Sequence, residues 1–146
     1  MDLRKITPEF AVAPQLLPED IAAVAALGYR VLIDNRPDEE TDPGQDSAAM
    51  AALAAAAGLG FHYLPYYPGL MTPDLVADFE ALMAGLEGPV LAYCRSGTRS
   101  SHLWAMSQAG RMPIEEIVGA AARAGYDHTG LMPLLAAHGA ARVKNG

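Results

Sequence analysis

Apolar and polar positions change period several times along this chain. Short apolar or alternating runs at 10–13, 30–33, 61–67 and 90–93 read as strands. Ala- and Leu-rich stretches at 18–28, 47–57, 72–86, 100–109, 113–124 and 129–138 read as helices. Pro18-Glu19-Asp20 and Thr72-Pro73-Asp74 carry the start signals of helices, a proline at the first position with acids at the positive end of the dipole. Gly28, Gly58, Gly60 and Gly88-Pro89 punctuate the ends, and the acid-dense stretch Asp34–Asp46 reads as a solvated loop. The order β-α-β-α-β-α-β-α-α-α predicts one α/β domain over residues 1–146, a mainly parallel sheet flanked by helices.

Composition narrows the picture. Apolar residues make up 51% of the chain and charged residues 18%, with 28 alanines, which suits a helix-rich globular protein. Seventeen acids against ten Lys and Arg leave a net charge of −7, and long-range repulsion then opposes nucleic acid and anionic membranes as partners. No stretch resembles a secretory leader, and the richest apolar run, Ala48–Ala57, is too short to span a bilayer. A cytoplasmic location is expected. Cys94 is the single cysteine, which excludes an intrachain disulfide and a cysteine-built metal cluster. His62, His102, His128 and His138 lack metal-ligand spacing, so no metal or other cofactor is expected.

Cys94 falls at the carboxyl end of the last predicted strand, where parallel sheets place their sites. The segment Cys94-Arg95-Ser96-Gly97-Thr98-Arg99-Ser100 then reads as strand, tight turn and helix start. Backbone N–H groups in such a turn can converge, and the helix dipole adds to them, which makes a cradle for an anion. Gly97 permits a positive φ, and the Arg99 guanidinium is a planar fork matched to an oxyanion. The same field favours a thiolate, so Cys94 and Arg99 are the catalytic candidates. Arg95, Ser96, Gly97, Thr98 and Ser100 are the expected substrate-binding residues, with Arg95 at the rim and the Ser100 hydroxyl offered to the sulfur. The plain alternative is an inert core cysteine, the usual state of a buried thiol. Strand end, glycine turn, two arginines and helix start together weigh against it. Asp34-Asn35-Arg36 also ends a strand; Asp34 and Arg36 either brace the loop or form a turn with a surface arginine.

Cys-x-x-Gly-x-Arg-Ser after a buried strand resembles the active-site loop of rhodanese-type sulfurtransferases. It also resembles a shortened Cys-x5-Arg loop of protein tyrosine phosphatases. Together with Ile6-Thr7-Pro8-Glu9-Phe10, Leu17-Pro18-Glu19-Asp20 and Ile33-Asp34-Asn35-Arg36-Pro37-Asp38, it resembles the phosphatase-like domain of bacterial beta-lactamase-hydrolase-like proteins. That family is also labelled a sulfur transferase family. The resemblance runs from residue 2 to 138 and implies a tyrosine-phosphatase-like fold, whereas strand–helix alternation alone also permits a rhodanese-type sheet order. It further implies a persulfide dioxygenase or another sulfide-oxidation enzyme as a partner, since in relatives the domain can be fused to the former. With no such domain in this sequence, any coupling is expected between separate proteins.

Two features bear on sulfur against phosphorus. Four residues separate Cys94 from Arg99, one fewer than in the phosphatase signature, and a narrower ring of N–H donors suits a persulfide sulfur better than a phosphoryl group. Cysteine phosphatases also use a carboxylic acid on the leaving group, yet the loop from Tyr66 to Thr72 has no carboxylate, and Asp74 reads as a helix N-terminal residue. The favoured expectation is therefore a sulfurtransferase. It takes sulfane sulfur from a small anionic donor, such as thiosulfate or a low-molecular-weight persulfide, through a Cys94 persulfide to a thiol or cyanide acceptor. A cysteine-dependent phosphatase, acting on phosphotyrosine or a small phosphoester through a phosphocysteine, is the alternative, and a redox-sensing or anion-binding module is the third reading.

Overall fold

Helical crossovers return the chain to the same end of the sheet, so consecutive strands can run parallel. The computed structural model describes residues 1–145, with side chains through residue 142. The first half comprises β1 (Arg4–Thr7), β2 (Phe10–Ala13), α1 (Asp20–Ala26), β3 (Val31–Asp34), a 3-10 turn (Asp38–Glu40), α2 (Ser47–Ala56) and β4 (Gly60–Tyr63). The second half comprises α3 (Pro73–Ala84), β5 (Val90–Tyr93), α4 (Thr98–Gln108), α5 (Ile114–Arg123), a 3-10 turn (Thr129–Leu131) and α6 (Met132–Asn145).

The sheet order is β1-β2-β5-β3-β4, with β1 antiparallel to β2 and the remaining neighbours parallel. β5 enters between β2 and β3, so Val90 pairs with Phe10 on one side and Val31 on the other, and Tyr93 with Ala13 and Asp34. Every residue of β5 is therefore buried, which a run of Val-Leu-Ala-Tyr tolerates. Alternation along the strands makes two cores. Val12, Ile33, Val90 and Ala92 face Val76 and Phe79 of α3, Leu103 and Trp104 of α4, and Ile117 of α5. Ala11, Leu32, Leu91 and Tyr93 face Ile21 and Val24 of α1 and Met50 and Ala54 of α2. The result is a three-layer α/β fold, as the sequence predicts. No helix among the described residues is long and apolar enough to cross a membrane.

Several boundaries differ from the sequence expectation for identifiable reasons. β1 is hidden in sequence because it is an edge strand, with Ile6 its only buried residue beside Arg4 and Lys5. β4 stops at Tyr63, before Pro65, although Leu64 and Tyr66 still donate backbone N–H groups to Asp34 and Asn35 carbonyls at 2.9 Å. α1 begins at Asp20, because the Asp20 carboxylate accepts from the Leu17 N–H and holds 17–20 as a turn. α4 begins at Thr98, directly after Gly97 turns the chain with φ +89°.

Phe79 is fully buried and meets Phe10 edge-on, ring centroids 6.1 Å apart. Phe79→Ala is expected to cost about 3–5 kcal/mol in urea unfolding. Leu134→Ala, at a position half exposed on α6, should change stability by less than about 0.5 kcal/mol.

Candidate active site

β5 delivers Cys94 between the ends of its two neighbouring strands. The Cys94 N–H donates to the Ala13 carbonyl at 3.4 Å, and the Asn35 N–H donates to the Tyr93 carbonyl at 2.8 Å. One residue further, the Gln15 N–H holds the Arg95 carbonyl at 3.3 Å. Gly97 then adopts the left-handed conformation, which turns its own N–H back onto Cys94 Sγ at 3.1 Å. Cys94 is fully buried, as an inert core cysteine would be, yet its sulfur accepts a backbone hydrogen bond from the loop it begins. Arg95 and Ser96 are exposed at the rim, and the Ser96 hydroxyl bonds the Thr98 hydroxyl at 3.0 Å.

Arg99 is held by three acceptors. Its two terminal nitrogens donate to Glu40 Oε2 and Oε1 at 2.9 and 2.7 Å, and one of them also donates to the Tyr66 carbonyl at 2.7 Å. Glu40 is in turn held by Arg36, which donates to its backbone carbonyl at 2.7 Å and lies 3.6 Å from its carboxylate. Arg36 also bonds the Gln15 side chain at 3.1 Å. The Arg99 hydrogen bonds keep Glu40 below the usual carboxylate range, so it is ionised at neutral pH. Arg36 thus braces the loop through Glu40, a residue with no sequence motif to mark it.

Ser100 does not serve the sulfur. Its hydroxyl donates its one proton to Asn35 Oδ1 at 2.8 Å, while Asn35 Nδ2 donates to the Leu64 carbonyl at 2.8 Å. The pair ties α4 to the ends of β3 and β4. Behind the loop the Tyr66 hydroxyl meets His102 Nδ1 at 3.2 Å, and Ser101 Oγ meets His128 Nε2 at 2.7 Å. Burial and the neighbouring His128 push His102 down to about 4, so it is a neutral imidazole. Burial also lowers His128. The Tyr126 hydroxyl donates to the Ser96 carbonyl at 3.2 Å.

Asp34 is not brought to the loop. Sheet alternation turns it to the α1–α2 face with Tyr93, whereas Asn35 turns toward α4. Its Oδ1 accepts the Arg36 N–H at 2.9 Å, which shapes the turn that aims Arg36. Its Oδ2 and the Tyr93 hydroxyl are buried without a hydrogen bond of regular geometry. Burial pushes Asp34 up to about 7, partly offset by the Arg36 N–H. Asp74 lies exposed in the first turn of α3, where the Thr72 hydroxyl caps the Leu75 N–H at 3.1 Å. Among the described residues no group of three or more His, Cys, Asp or Glu is placed to hold a metal ion.

Two outcomes follow from these contacts. Glu40→Ala leaves Arg36 and Arg99 without their shared acceptor, and should cost about 1.5–3 kcal/mol in urea unfolding, the worth of hydrogen bonds to charged groups. Asp34 binds its proton more tightly folded than unfolded, so its contribution is full below about pH 4 and is lost as pH rises through about 7. Asp34→Asn should flatten that decline when unfolding is compared at about pH 4.5 and about pH 7.5.

Comparison with known proteins places this arrangement. A Beta-lactamase hydrolase-like protein of Xylella fastidiosa is 34% identical over 131 residues, which cover 87% of this chain and 30% of that protein. This chain therefore spans about 30% of the length of that relative. The crystal structure of a candidate phosphatase from Neisseria meningitidis superposes with a TM-score of 0.83 at 35% identity, covering 94% of this chain and 99% of that one. Tk-PTP in its active form shares the fold at 14% identity, with a TM-score of 0.70 and 97% of each chain covered. The sheet and its helices are thus tyrosine-phosphatase-like. The family model for the beta-lactamase hydrolase-like protein, phosphatase-like domain, matches residues 2–111, and the chain belongs to that family.

Proposed function

We propose that the chain is a cysteine-dependent phosphatase acting on small phosphoesters, with Cys94 as nucleophile and Arg99 as the fixed cation of the anion cradle. The observation that carries this reading is the Gly97 N–H on Cys94 Sγ at the start of a helix whose Arg99 is clamped by Glu40. Such a loop stabilises negative charge on sulfur and on a bound oxyanion alike. The family match and the Neisseria relative support phosphoryl over sulfur transfer as the first reading, the reverse of the sequence expectation.

In this cycle the Cys94 thiolate attacks phosphorus and the bond to the ester oxygen breaks. Water then hydrolyses the phosphocysteine, which releases phosphate and restores the thiolate. The carboxylates flanking the loop are otherwise engaged. Glu40 is ionised between two arginines, Glu39 accepts the Tyr67 hydroxyl, and Asp38 accepts both the N–H and hydroxyl of Ser47. Leaving groups that depart as anions are therefore favoured, so aryl phosphates should turn over faster than alkyl phosphates.

Sulfur transfer is the second reading, favoured by the four-residue spacing from Cys94 to Arg99. There the thiolate attacks the outer sulfur of thiosulfate and sulfite leaves. Cyanide or a thiol then takes that sulfur from the Cys94 persulfide.

One side-by-side assay separates the readings: phosphate release from an aryl phosphate, and thiocyanate formation from thiosulfate and cyanide. The expected result is phosphate release that is abolished in Cys94→Ser and falls about 10²–10³-fold in Arg99→Ala. Thiocyanate formation without phosphate release would overturn the first reading in favour of the second. Neither product, with Cys94-dependent binding of phosphate alone, would overturn both.

A further inference from the structure

Tyr126 lies after α5, beyond the residues matched by the family model, and no sequence motif marks it. Its hydroxyl donates to the Ser96 carbonyl at 3.2 Å. That carbonyl belongs to the same peptide unit as the Gly97 N–H, which donates to Cys94 Sγ at 3.1 Å. A peptide plane cannot turn one of these groups without turning the other. A hydrogen bond accepted at the carbonyl also polarises the amide, which strengthens the N–H as a donor.

The tyrosine ring is itself held on several sides. The Arg4 guanidinium sits 5.3 Å from its centroid and donates to the Ala124 carbonyl at 3.0 Å. His128 stacks on it at 6.2 Å, and the Tyr126 N–H donates to the Ala121 carbonyl at 2.9 Å. The contact with the loop is close enough that a Cβ on Gly97 would collide with the Tyr126 hydroxyl. Only a glycine lets that hydroxyl approach, and the same glycine supplies the positive φ.

We infer that Tyr126 is a positioning residue for the nucleophile: through the Ser96–Gly97 peptide, its hydroxyl keeps the Gly97 N–H directed at Cys94 Sγ. Without it the peptide loses the anchor on its far side, and its carbonyl is free to turn toward the cradle and oppose an anion there. The inference rests on loop geometry and holds whether the group transferred is phosphoryl or sulfur. Burial keeps the Tyr126 hydroxyl above its usual titration range, so the proton it donates stays in place at neutral pH.

The test uses the full chain and needs no substrate. Because Cys94 is the only cysteine, its thiolate absorbance can be titrated directly as the difference from the matching Cys94→Ser protein. Tyr126→Phe removes the hydroxyl and keeps the ring against Arg4 and His128. The thiolate profile should move to higher pH, with the thiolate fraction at a fixed pH on the acid side of the transition falling about two- to ten-fold, the effect of one hydrogen bond. Tyr29→Phe, a buried tyrosine packed on the opposite face of the sheet, should leave the profile where it is. A folded Tyr126→Phe protein with an unmoved profile overturns the inference. Should that variant fail to fold, 3-fluorotyrosine placed at 126 makes the hydroxyl a stronger donor at nearly constant shape. The profile should then move to lower pH, and a profile that stays or moves the other way overturns the inference.

Discussion

The chain has four residues in which to leave a strand buried between two others, turn an N–H back onto a sulfur, and begin a helix. Nearly every feature of the site follows from that constraint. β5 must be apolar on both faces, so the first polar chemistry it can present comes at its end, at Cys94. Gly97 must supply the reversal, since a side chain there would be strained by the backbone and blocked by Tyr126. The carbonyls turned outward by the loop must be received elsewhere, and the Gln15 N–H and the Tyr126 hydroxyl receive them.

Charge is arranged on the same principle of local fixing within an unfavourable whole. The protein carries −7, yet beside the loop Arg36 and Arg99 share a single carboxylate, Glu40, leaving one net positive charge in that trio. Glu40 orients the Arg99 fork by two parallel hydrogen bonds, and Tyr66 adds a third acceptor. A freely rotating arginine would lose side-chain entropy on meeting an anion, whereas this one has already lost it on folding.

What could be read from sequence divides by distance along the chain. The loop from Cys94 to Ser100 is contiguous, so its strand, turn and helix start were visible in residue types alone. Arg36 was visible as a candidate because it follows a strand, but its route to the loop runs through Glu40, inside an acidic stretch that reads as solvent-facing. Ser100 stands in the first turn of α4, yet its hydroxyl goes to Asn35 rather than to the sulfur because β3 ends beside β5, a pairing that no local pattern reveals. Asp34 and Asn35 are adjacent in sequence and face opposite sides of the sheet; which of the two meets α4 depends on strand register. β1 carries no strand pattern in the sequence, because Arg4 and Lys5 dilute the single buried Ile6.

The contact between Tyr126 and Ser96 joins parts of the chain made at different times. During synthesis Cys94 and its loop leave the ribosome some thirty residues before Tyr126, and the Arg4 that steadies Tyr126 has by then long been waiting. A chain that has completed the sheet can present the thiol, but it cannot yet hold the loop's outer carbonyl. That carbonyl gains its partner only when the residue after α5 is present and packed beside Arg4. The loop that begins at Cys94 is thus fully supported only by a chain long enough to include the residues after α5.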